Sequence, residues 1–352
     1  MSTLLILVIV IVMVALIFDY INGFHDAANA IATVVATRVL TPFQAVLWAA
    51  LFNFLAAVPL LFSAEAGVAS TVGKDLVNQT YVTPLVILAG LMGAIAWNLF
   101  TWYYGIPSSS SHALIGGYAG AVMSKVVMLE GWGNILKAVK IEGWITTVQF
   151  IVLAPLLGMA LGYLLMAAVY WMFRKSTPKK MDRWFRRLQL VSSALFSFAH
   201  GSNDAQKTIG IITIVLVSAG YLETFQVQTW VILAAFVAIS AGTMTGGWRI
   251  VHTMGSRLTR LKPRGGFCAE TAGALAILFP TYLKIPVSTT HVITGAIAGV
   301  GSINRPKSVR WGLARRILWA WILTLPASAL VSGLSYVVVK AVAEWTQMPD
   351  LK

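Results

Sequence analysis

The chain begins with an uncharged apolar run, and comparable runs return along its length. Residues 2–18, STLLILVIVIVMVALIF, carry no charged side chain. A helix needs about 20 mainly apolar residues to cross the hydrocarbon core of a bilayer. Charged residues make up 11% of the 352 residues, against roughly 25% in soluble domains. The sequence therefore predicts an all-α integral membrane protein, whose longest apolar runs are Thr3–Ile21, Phe43–Ser63, Trp144–Phe173, Val227–Met244 and Ile317–Val339.

The positive charges are concentrated in short segments between apolar runs. The net charge is +14, and residues 174–187 contain seven Lys or Arg and one Asp. Further basic segments are residues 249–264 and 305–316. Short basic loops stay on the cytoplasmic side of a membrane. The charge therefore indicates membrane topology rather than a nucleic-acid partner, and it predicts that both termini lie outside.

Two motifs occur twice in the chain. The segment GFHDA at residues 23–27 returns as GSNDA at residues 201–205, an offset of 178. The segment IPSSSSHALIGGYAG at residues 106–120 returns as IPVSTTHVITGAIAG at residues 285–299, an offset of 179. Two motifs that recur at nearly one offset indicate duplication of a unit of roughly 175 residues.

The loop charges predict that the two copies face opposite ways in the membrane. Each copy contains three full spans and a re-entrant hairpin, centred on Ile106-Pro107 in the first copy and Ile285-Pro286 in the second. We assign residues 1–173 to the first repeat, 174–189 to a basic cytoplasmic loop and 190–345 to the second repeat. This is an inverted-topology repeat. The two copies still face opposite ways if each hairpin consists of two complete spans.

Each copy has an aspartate within a membrane segment. An Asp at the centre of a membrane helix costs about 2.5–3.5 kcal/mol on insertion scales, so Asp26 and Asp204 are functional candidates. We expect the helices to break at Gly23 and Gly201 and to expose backbone groups to an ion or anion. Alternatively, both carboxylates lie at a membrane edge and cap a helix. That alternative leaves the nearby polar residues Asn29, Asn203, Gln206 and Lys207 unexplained.

Hydroxyl side chains follow a proline in each hairpin. Residues 108–111 follow Pro107, and residues 288–290 follow Pro286. Because proline suits the first turn of a helix, each cluster is predicted to lie at a helix N-terminus. Free backbone amides, the positive end of the helix dipole and several hydroxyls would bind an oxyanion there. Hydroxyls also accept hydrogen bonds, so a protonated phosphate fits this site.

The residues behind each hydroxyl cluster have a structural interpretation. We interpret His112 and His291 as helix-packing residues rather than substrate contacts. The spacing Gly-x-x-x-Gly follows each histidine, at residues 116–120 and 295–299. This spacing lets membrane helices approach closely.

Motifs of other functional classes are absent from the sequence. The P-loop pattern G-x-x-x-x-G-K-[ST] does not occur, since Gly73-Lys74 is followed by Asp75. The metalloprotease motif H-E-x-x-H and the hydrolase motif G-x-S-x-G do not occur either. Direct use of ATP and an enzymatic function are therefore disfavoured, and we expect no cofactor.

The four motifs together resemble those of the inorganic phosphate transporter (Pit-type) family. GFHDAANAIATVVATR, HGSNDAQKTIG, IPSSSSHALIGG and IPVSTTHVITGAIAG are similar to the family motifs in order and repetition, and the resemblance spans essentially the whole chain. It implies an inverted repeat with re-entrant hairpins, a homodimer and a phosphate site. The substrate-binding residues it implies are Asp26, Asn29, Ser109, Ser110, Ser111, Asn203, Asp204, Ser288, Thr289 and Thr290.

The motifs indicate the coupling ion less clearly than the substrate. The first motif has His25 where the second has Asn203, and this form resembles the bacterial low-affinity branch. That branch implies proton coupling, transport of a divalent metal–phosphate complex and an inner-membrane location. His25 is interpreted as a proton carrier or as a hydrogen-bonding substitute for Asn, and we favour the proton. The candidate coupling-ion residues are His25, Asp26 and Asp204, with Asn22, Gln206 and Lys207 as further candidates.

Two questions stay open at this point. Lys207 could neutralise Asp204, contact the anion or extend to the membrane interface. The leading functional hypothesis is a proton–phosphate symporter, and the alternatives are a sodium-coupled phosphate symporter and a sulfate permease of the same fold. An anion channel is the least favoured hypothesis, because paired intramembrane carboxylates fit alternating access better than a static pore.

Overall fold

The computed structural model describes residues 3–63, 67–303 and 306–346, excluding the side chains of Ser63 and Ser256, and these residues are almost entirely helical. The first half contains α1 (Thr3–Ala36), α2 (Pro42–Leu55), α3 (Ala57–Ser63), α4 (Gly67–Ser70), α5 (Pro84–Tyr103), α6 (Ser110–Glu130) and α7 (Ile141–Met172). The second half contains α8 (Pro178–Ser218), α9 (Thr229–Thr245), α10 (Trp248–His252), α11 (Pro263–Tyr282), α12 (Thr289–Ser302) and α13 (Trp311–Trp345). A π-helical turn follows α4 at Thr71–Asp75 and α10 at Thr253–Arg257.

The helices of the two halves follow the same order and pack against each other reciprocally. A long helix, a shorter span, a short helix with its π-helical turn, a hairpin pair and a final long helix occur in both halves. The hairpin pair α5 and α6 packs on α13, and its equivalent pair α11 and α12 packs on α7. Each half therefore completes the hydrophobic core of the other.

The equivalent helices α1 and α8 run antiparallel. Ligand atoms of Asp26 and Asp204 lie within 4.8 Å of each other. Just beyond the C-terminal end of α1, the Thr37 hydroxyl donates to Gln189 Oε1 at 2.9 Å, and Gln189 precedes Asp204 on α8. Equivalent helices that run in opposite directions are the geometry of an inverted repeat. The side of the membrane on which each loop lies stays a prediction.

The predicted helix breaks at Gly23 and Gly201 are wrong. Both α1 and α8 are continuous through these glycines. A Cβ atom on Gly23 would lie 2.1 Å from the Ile239 carbonyl oxygen, and one on Gly201 would lie 2.7 Å from that of Asn53. The glycines therefore serve close helix packing. A sharp bend occurs elsewhere, where α9 and the helical segment after it meet at 59° beside Gly246, whose φ is +70°.

Most of the predicted basic loop is helical. Helix α8 begins at Pro178, so residues 178–189 form its first turns instead of a loop. Thr177 caps this helix, since its side chain accepts a hydrogen bond from the Lys180 amide at 3.4 Å. A Thr N-cap followed by proline is a strong helix-start signal.

The number of long apolar helices agrees with a multi-pass membrane protein. Six helical segments of the described residues are long and apolar enough to cross a bilayer, or up to seven when a bent pair counts as one span. Helices α5 and α6 have 20 and 21 residues, whereas α12 has 14, about 21 Å. The residues joining α5 to α6 are buried from Pro107 onward, inside the bundle. The short α12 and the buried joining residues favour re-entrant hairpins, whereas the lengths of α5 and α6 also fit complete spans.

The two Gly-x-x-x-Gly segments pack as predicted. A Cβ on Gly120 would lie 2.2 Å from the carbonyl oxygen of Ala329 on α13. A Cβ on Gly295 or Gly299 would lie 2.1 Å from the carbonyl oxygens of Pro155 and Met159 on α7, respectively. Such contacts leave no room for a side chain. The repeats thus fix the hairpin helices against the last helix of the opposite half.

Candidate functional site

Both hydroxyl clusters lie at helix N-termini, as the sequence predicts. Ser109 caps α6 by accepting from the His112 amide at 3.1 Å, and Ser288 caps α12 by accepting from the His291 amide at 3.3 Å. A left-handed residue begins the turn into each tip, Gly105 with φ +63° and Lys284 with φ +65°. The first amides of both helices and their positive dipole ends are therefore presented at the hairpin tips.

The two hairpin tips meet inside the bundle. The rings of His112 and His291 contact each other edge to face, with centroids 4.8 Å apart. The His291 ring also stacks on Trp321 at 3.9 Å. Each ring packs against the other hairpin, as expected, and the absence of a substrate contact stays a prediction. The site is therefore formed from both halves.

Asp26 lies beside the first hairpin tip. Ser110 Oγ donates to Asp26 Oδ1 at 3.3 Å, and His25 Nδ1 lies 2.7 Å from the same oxygen. The other ring nitrogen of His25, Nε2, lies 3.0 Å from Thr101 Oγ1 on α5. Ser108 donates to that Thr101 hydroxyl at 2.9 Å. A chain of polar contacts therefore runs from the carboxylate through His25 to the base of the hairpin.

Asp204 lies beside the second hairpin tip and carries a different partner. Lys207 Nζ donates to Asp204 Oδ1, and Thr289 Oγ1 donates to Asp204 Oδ2 at 3.4 Å. Lys207 Nζ also donates to Ser111 Oγ at 2.5 Å and to the Val287 carbonyl at 3.0 Å. Its exposed fraction is 1%. The alternative in which Lys207 extends to the interface is therefore wrong, and the ammonium neutralises Asp204.

The two asparagines hold the second tip in place. Asn29 Nδ2 donates to Thr290 Oγ1 at 2.9 Å and to Thr289 Oγ1 at 3.3 Å. Asn203 Oδ1 accepts from the Val287 amide at 3.4 Å, and its Nδ2 donates to Thr281 Oγ1 at 2.7 Å. All of these side chains except Thr281 are buried. Asn29 thus connects the first half to the hydroxyls of the second.

Two of the further candidates point away from the tips. Gln206 Oε1 accepts from the Val68 amide at 3.1 Å, and its Nε2 donates to the Ser202 carbonyl at 2.7 Å. Asn22 lies next to the buried carboxylate of Asp19. The structure therefore gathers the ten predicted substrate-binding residues with His25 and Lys207, but not Gln206 or Asn22. All ten are at most 4% exposed.

His200 and Glu270 are buried ionisable side chains that the sequence did not lead us to predict. His200 Nε2 lies 3.2 Å from Asp204 Oδ2, and ligand atoms of Asp26, His200 and Asp204 all lie within 4.8 Å of one another. One turn separates His200 from Asp204 on a helix, so the i,i+4 spacing could have indicated it. Glu270 is fully buried and accepts hydrogen bonds from Ser192, Thr33 and Gln189 at 2.5–2.9 Å. Its charge in an apolar run is the signal that could have identified it.

The chain is similar to known proteins over almost its whole length. The model of the "Phosphate transporter family" matches residues 22–332. A protein of Rhizobium meliloti described as "Probable low-affinity inorganic phosphate transporter" is 52% identical over 338 residues, which cover 96% of this chain and 98% of the relative. A Bacillus subtilis protein with the same description is 44% identical, covering 97% of this chain and the whole relative.

A solved structure shows the same fold. The structure described as "The sodium-dependent phosphate transporter" superposes with a TM-score of 0.85 at 24% identity, covering 95% of this chain and 99% of that one. At this identity the likeness shows the fold alone. The family match and the sequence relatives decide the class, which is a transporter and not an enzyme. The chain, with two hairpin tips meeting at two buried aspartates, belongs to the phosphate transporter family.

Proposed function

We propose that the protein imports inorganic phosphate across the cytoplasmic membrane by symport with protons. The observation that carries the proposal is the meeting of two helix N-termini, their hydroxyls and two carboxylates in one buried site. Helix N-termini bind oxyanions through free amides and the helix dipole. Phosphate transport by a family of this name supports the choice of substrate. We propose that both termini lie outside, and the basic loops support this orientation.

The carboxylates favour phosphate over sulfate. At neutral pH phosphate retains a proton that it can donate, whereas sulfate can only accept hydrogen bonds. Asp26 and Asp204 both lie against the hydroxyl tips. They would accept the phosphate proton and would repel sulfate, which has no proton to offer. The sulfate permease is therefore the weaker alternative.

A metal–phosphate complex also fits the site as a substrate. Asp26, His200 and Asp204 each offer one ligand atom within 4.8 Å of the others, and carboxylate oxygens suit divalent cations such as Mg²⁺. A cation held there would lie beside the hydroxyls that receive phosphate. We propose that the complex is carried as one unit, as the resemblance to the low-affinity branch implies.

The burial of the site supports alternating access over a channel. The ten substrate-binding residues are at most 4% exposed, so no open path runs through them. A cavity of about 540 Å³ lies against α8 and α11, lined among others by Ser202, Gln206 and Thr281. Asn203 donates to Thr281, so the Thr281 side chain lies between the cavity and the site. We propose this cavity as one of two alternating entrances.

His25 is the proposed carrier of a coupled proton. Both of its ring nitrogens have an oxygen partner, Asp26 Oδ1 at 2.7 Å and Thr101 Oγ1 at 3.0 Å. An imidazole that takes up a second proton needs two acceptors, and this site provides them. The carrier thus lies in contact with the proposed substrate ligand Asp26.

We expect His25→Asn to separate coupling from binding. Asparagine keeps a hydrogen bond to Asp26, but its amide cannot take up and release a proton. Phosphate accumulation driven by a gradient of one pH unit should fall about tenfold, the contribution of one coupled proton. Gradient-free phosphate exchange should stay within about threefold of wild type. The matched control is His252→Asn, because His252 is an exposed histidine on α10. Unchanged accumulation in His25→Asn would show that His25 is only a hydrogen-bonding residue.

Uptake of radiolabelled phosphate by purified protein in proteoliposomes tests the proposed function. We expect uphill uptake that requires an inward proton gradient, does not respond to a sodium gradient and is not inhibited by excess sulfate. Uptake that requires sodium would support the sodium-coupled alternative. Transport of sulfate, or phosphate flux that merely equilibrates, would overturn the proposed substrate or mechanism.

A further inference from the structure

A second buried carboxylate lies on α1, two helical turns before the substrate site. Asp19 is fully buried, with 0% exposure. Neither carboxylate oxygen has a hydrogen-bond partner among the described residues. This contrasts with Asp26 and Asp204, each of which is bound by several donors. A buried carboxylate without a donor is strongly destabilised when it is ionised.

Among the described residues, the polar groups closest to Asp19 are uncharged, and no ion pair is formed with it. Asn22 on the same helix and Thr208 on α8 lie beside the carboxylate. Asn22 Oδ1 and Thr208 Oγ1 likewise make no hydrogen bond. Both oxygens can accept a hydrogen bond from a protonated carboxylic acid. A proton on Asp19 supplies the hydrogen for that bond and removes the buried charge in one step.

The charged groups near Asp19 do not take the place of a proton. Asp204 and Lys207 on α8 are the charged groups that act on it among the described residues. The hydrogens of the Lys207 ammonium are directed at Asp204, Ser111 and the Val287 carbonyl. None is left for Asp19. Asp204, as a carboxylate, opposes a second negative charge nearby.

We propose that Asp19 is a second proton-binding site, separate from the phosphate site and coupled to it through α8. A proton binds a carboxylate oxygen of Asp19 and leaves again when the site opens. The step is a reversible protonation, without electron transfer and without a covalent bond to the substrate. Because Asp19 and Asp204 repel each other when both are charged, protonation of Asp19 is linked to the charge state of the substrate site. The proposal rests on proton symport and adds a proton to each transport cycle.

Infrared spectroscopy tests the proton on Asp19 without any transport. Purified wild-type protein should show the carbonyl stretch of a protonated carboxylic acid, shifted in D₂O, and part of that band should be missing in Asp19→Asn. The matched control is Asp182→Asn, whose carboxylate is exposed and paired with Arg186, and its spectrum should retain the band. Identical bands in wild type and Asp19→Asn would overturn the proposal and leave proton symport unaffected.

Transport measurements test the coupling. With the membrane potential clamped at zero and a gradient of one pH unit, loss of one coupled proton should lower the phosphate accumulation ratio of Asp19→Asn about tenfold. Gradient-free exchange should stay within about threefold of wild type, and Asp19→Glu should restore accumulation. Full accumulation by Asp19→Asn would overturn the proposal alone. Absence of proton-driven uptake in wild type would overturn both this proposal and the proposed function.

Discussion

Replacing Asp204 with Asn should abolish uphill phosphate uptake and also destabilise the protein. The substitution removes the carboxylate that neutralises the buried Lys207 ammonium. Breaking a buried ion pair by removal of one partner costs about 3–5 kcal/mol. The thermal unfolding temperature in detergent should fall, as measured by the decay of the monodisperse peak in size-exclusion chromatography.

The double variant Asp204→Asn/Lys207→Met separates the two effects. Methionine fills a volume similar to that of lysine without a charge, so no unpaired ammonium remains, and replacing a buried pair by apolar residues is often neutral. The unfolding temperature should recover most of the loss, while phosphate uptake should stay absent because the acceptor at the second tip is missing. Recovery of uptake in the double variant would contradict the role of Asp204 as a substrate ligand.

Replacing Gly299 with Ala should disrupt the packing of α12 on α7. The added Cβ would lie 2.1 Å from the Met159 carbonyl oxygen, and a backbone carbonyl cannot move aside unless the helices separate. Overpacking of this kind costs about 1–3 kcal/mol or more. We expect a lower unfolding temperature and loss of phosphate uptake, because α12 carries the second hairpin tip.

The matched control for this variant is Gly312→Ala. Gly312 lies in α13 and faces open space, since an added Cβ would have no atom within 4 Å. The gain in helix propensity should leave the unfolding temperature unchanged or slightly raised. If Gly299→Ala behaves like Gly312→Ala, the Gly-x-x-x-Gly segment does not determine the helix contact.

Features encoded in local sequence were predictable. A proline followed by hydroxyl residues indicated both hairpin tips as helix N-termini, since capping depends on neighbouring residues alone. The repeat offset identified equivalent aspartates, and the small-residue spacing identified the helix contacts of Gly120 and Gly299. These signals are present in the sequence itself and require no knowledge of which residues meet in space.

Features that depend on a distant partner were not predictable. A glycine permits a helix to break and also permits another backbone to approach, so Gly23 alone could not reveal its contact with Ile239. The position of Lys207 was ambiguous because its partners Ser111 and Val287 come from the two hairpins. The burial of the Asp19 carboxylate, whose oxygens make no hydrogen bond among the described residues, likewise depends on how α1 and α8 pack.

Phosphate counterflow tests the phosphate site independently of coupling, because exchange across proteoliposomes loaded with unlabelled phosphate requires no gradient of the coupling ion. We predict rapid entry of labelled phosphate in wild type, no competition by sulfate, and loss of exchange in Ser111→Ala/Thr290→Ala, which removes one hydroxyl from each hairpin tip. The exposed-residue control Thr346→Ala should exchange like wild type. Exchange that persists without both tip hydroxyls, or that sulfate abolishes, would contradict a phosphate site formed by the two hairpin tips.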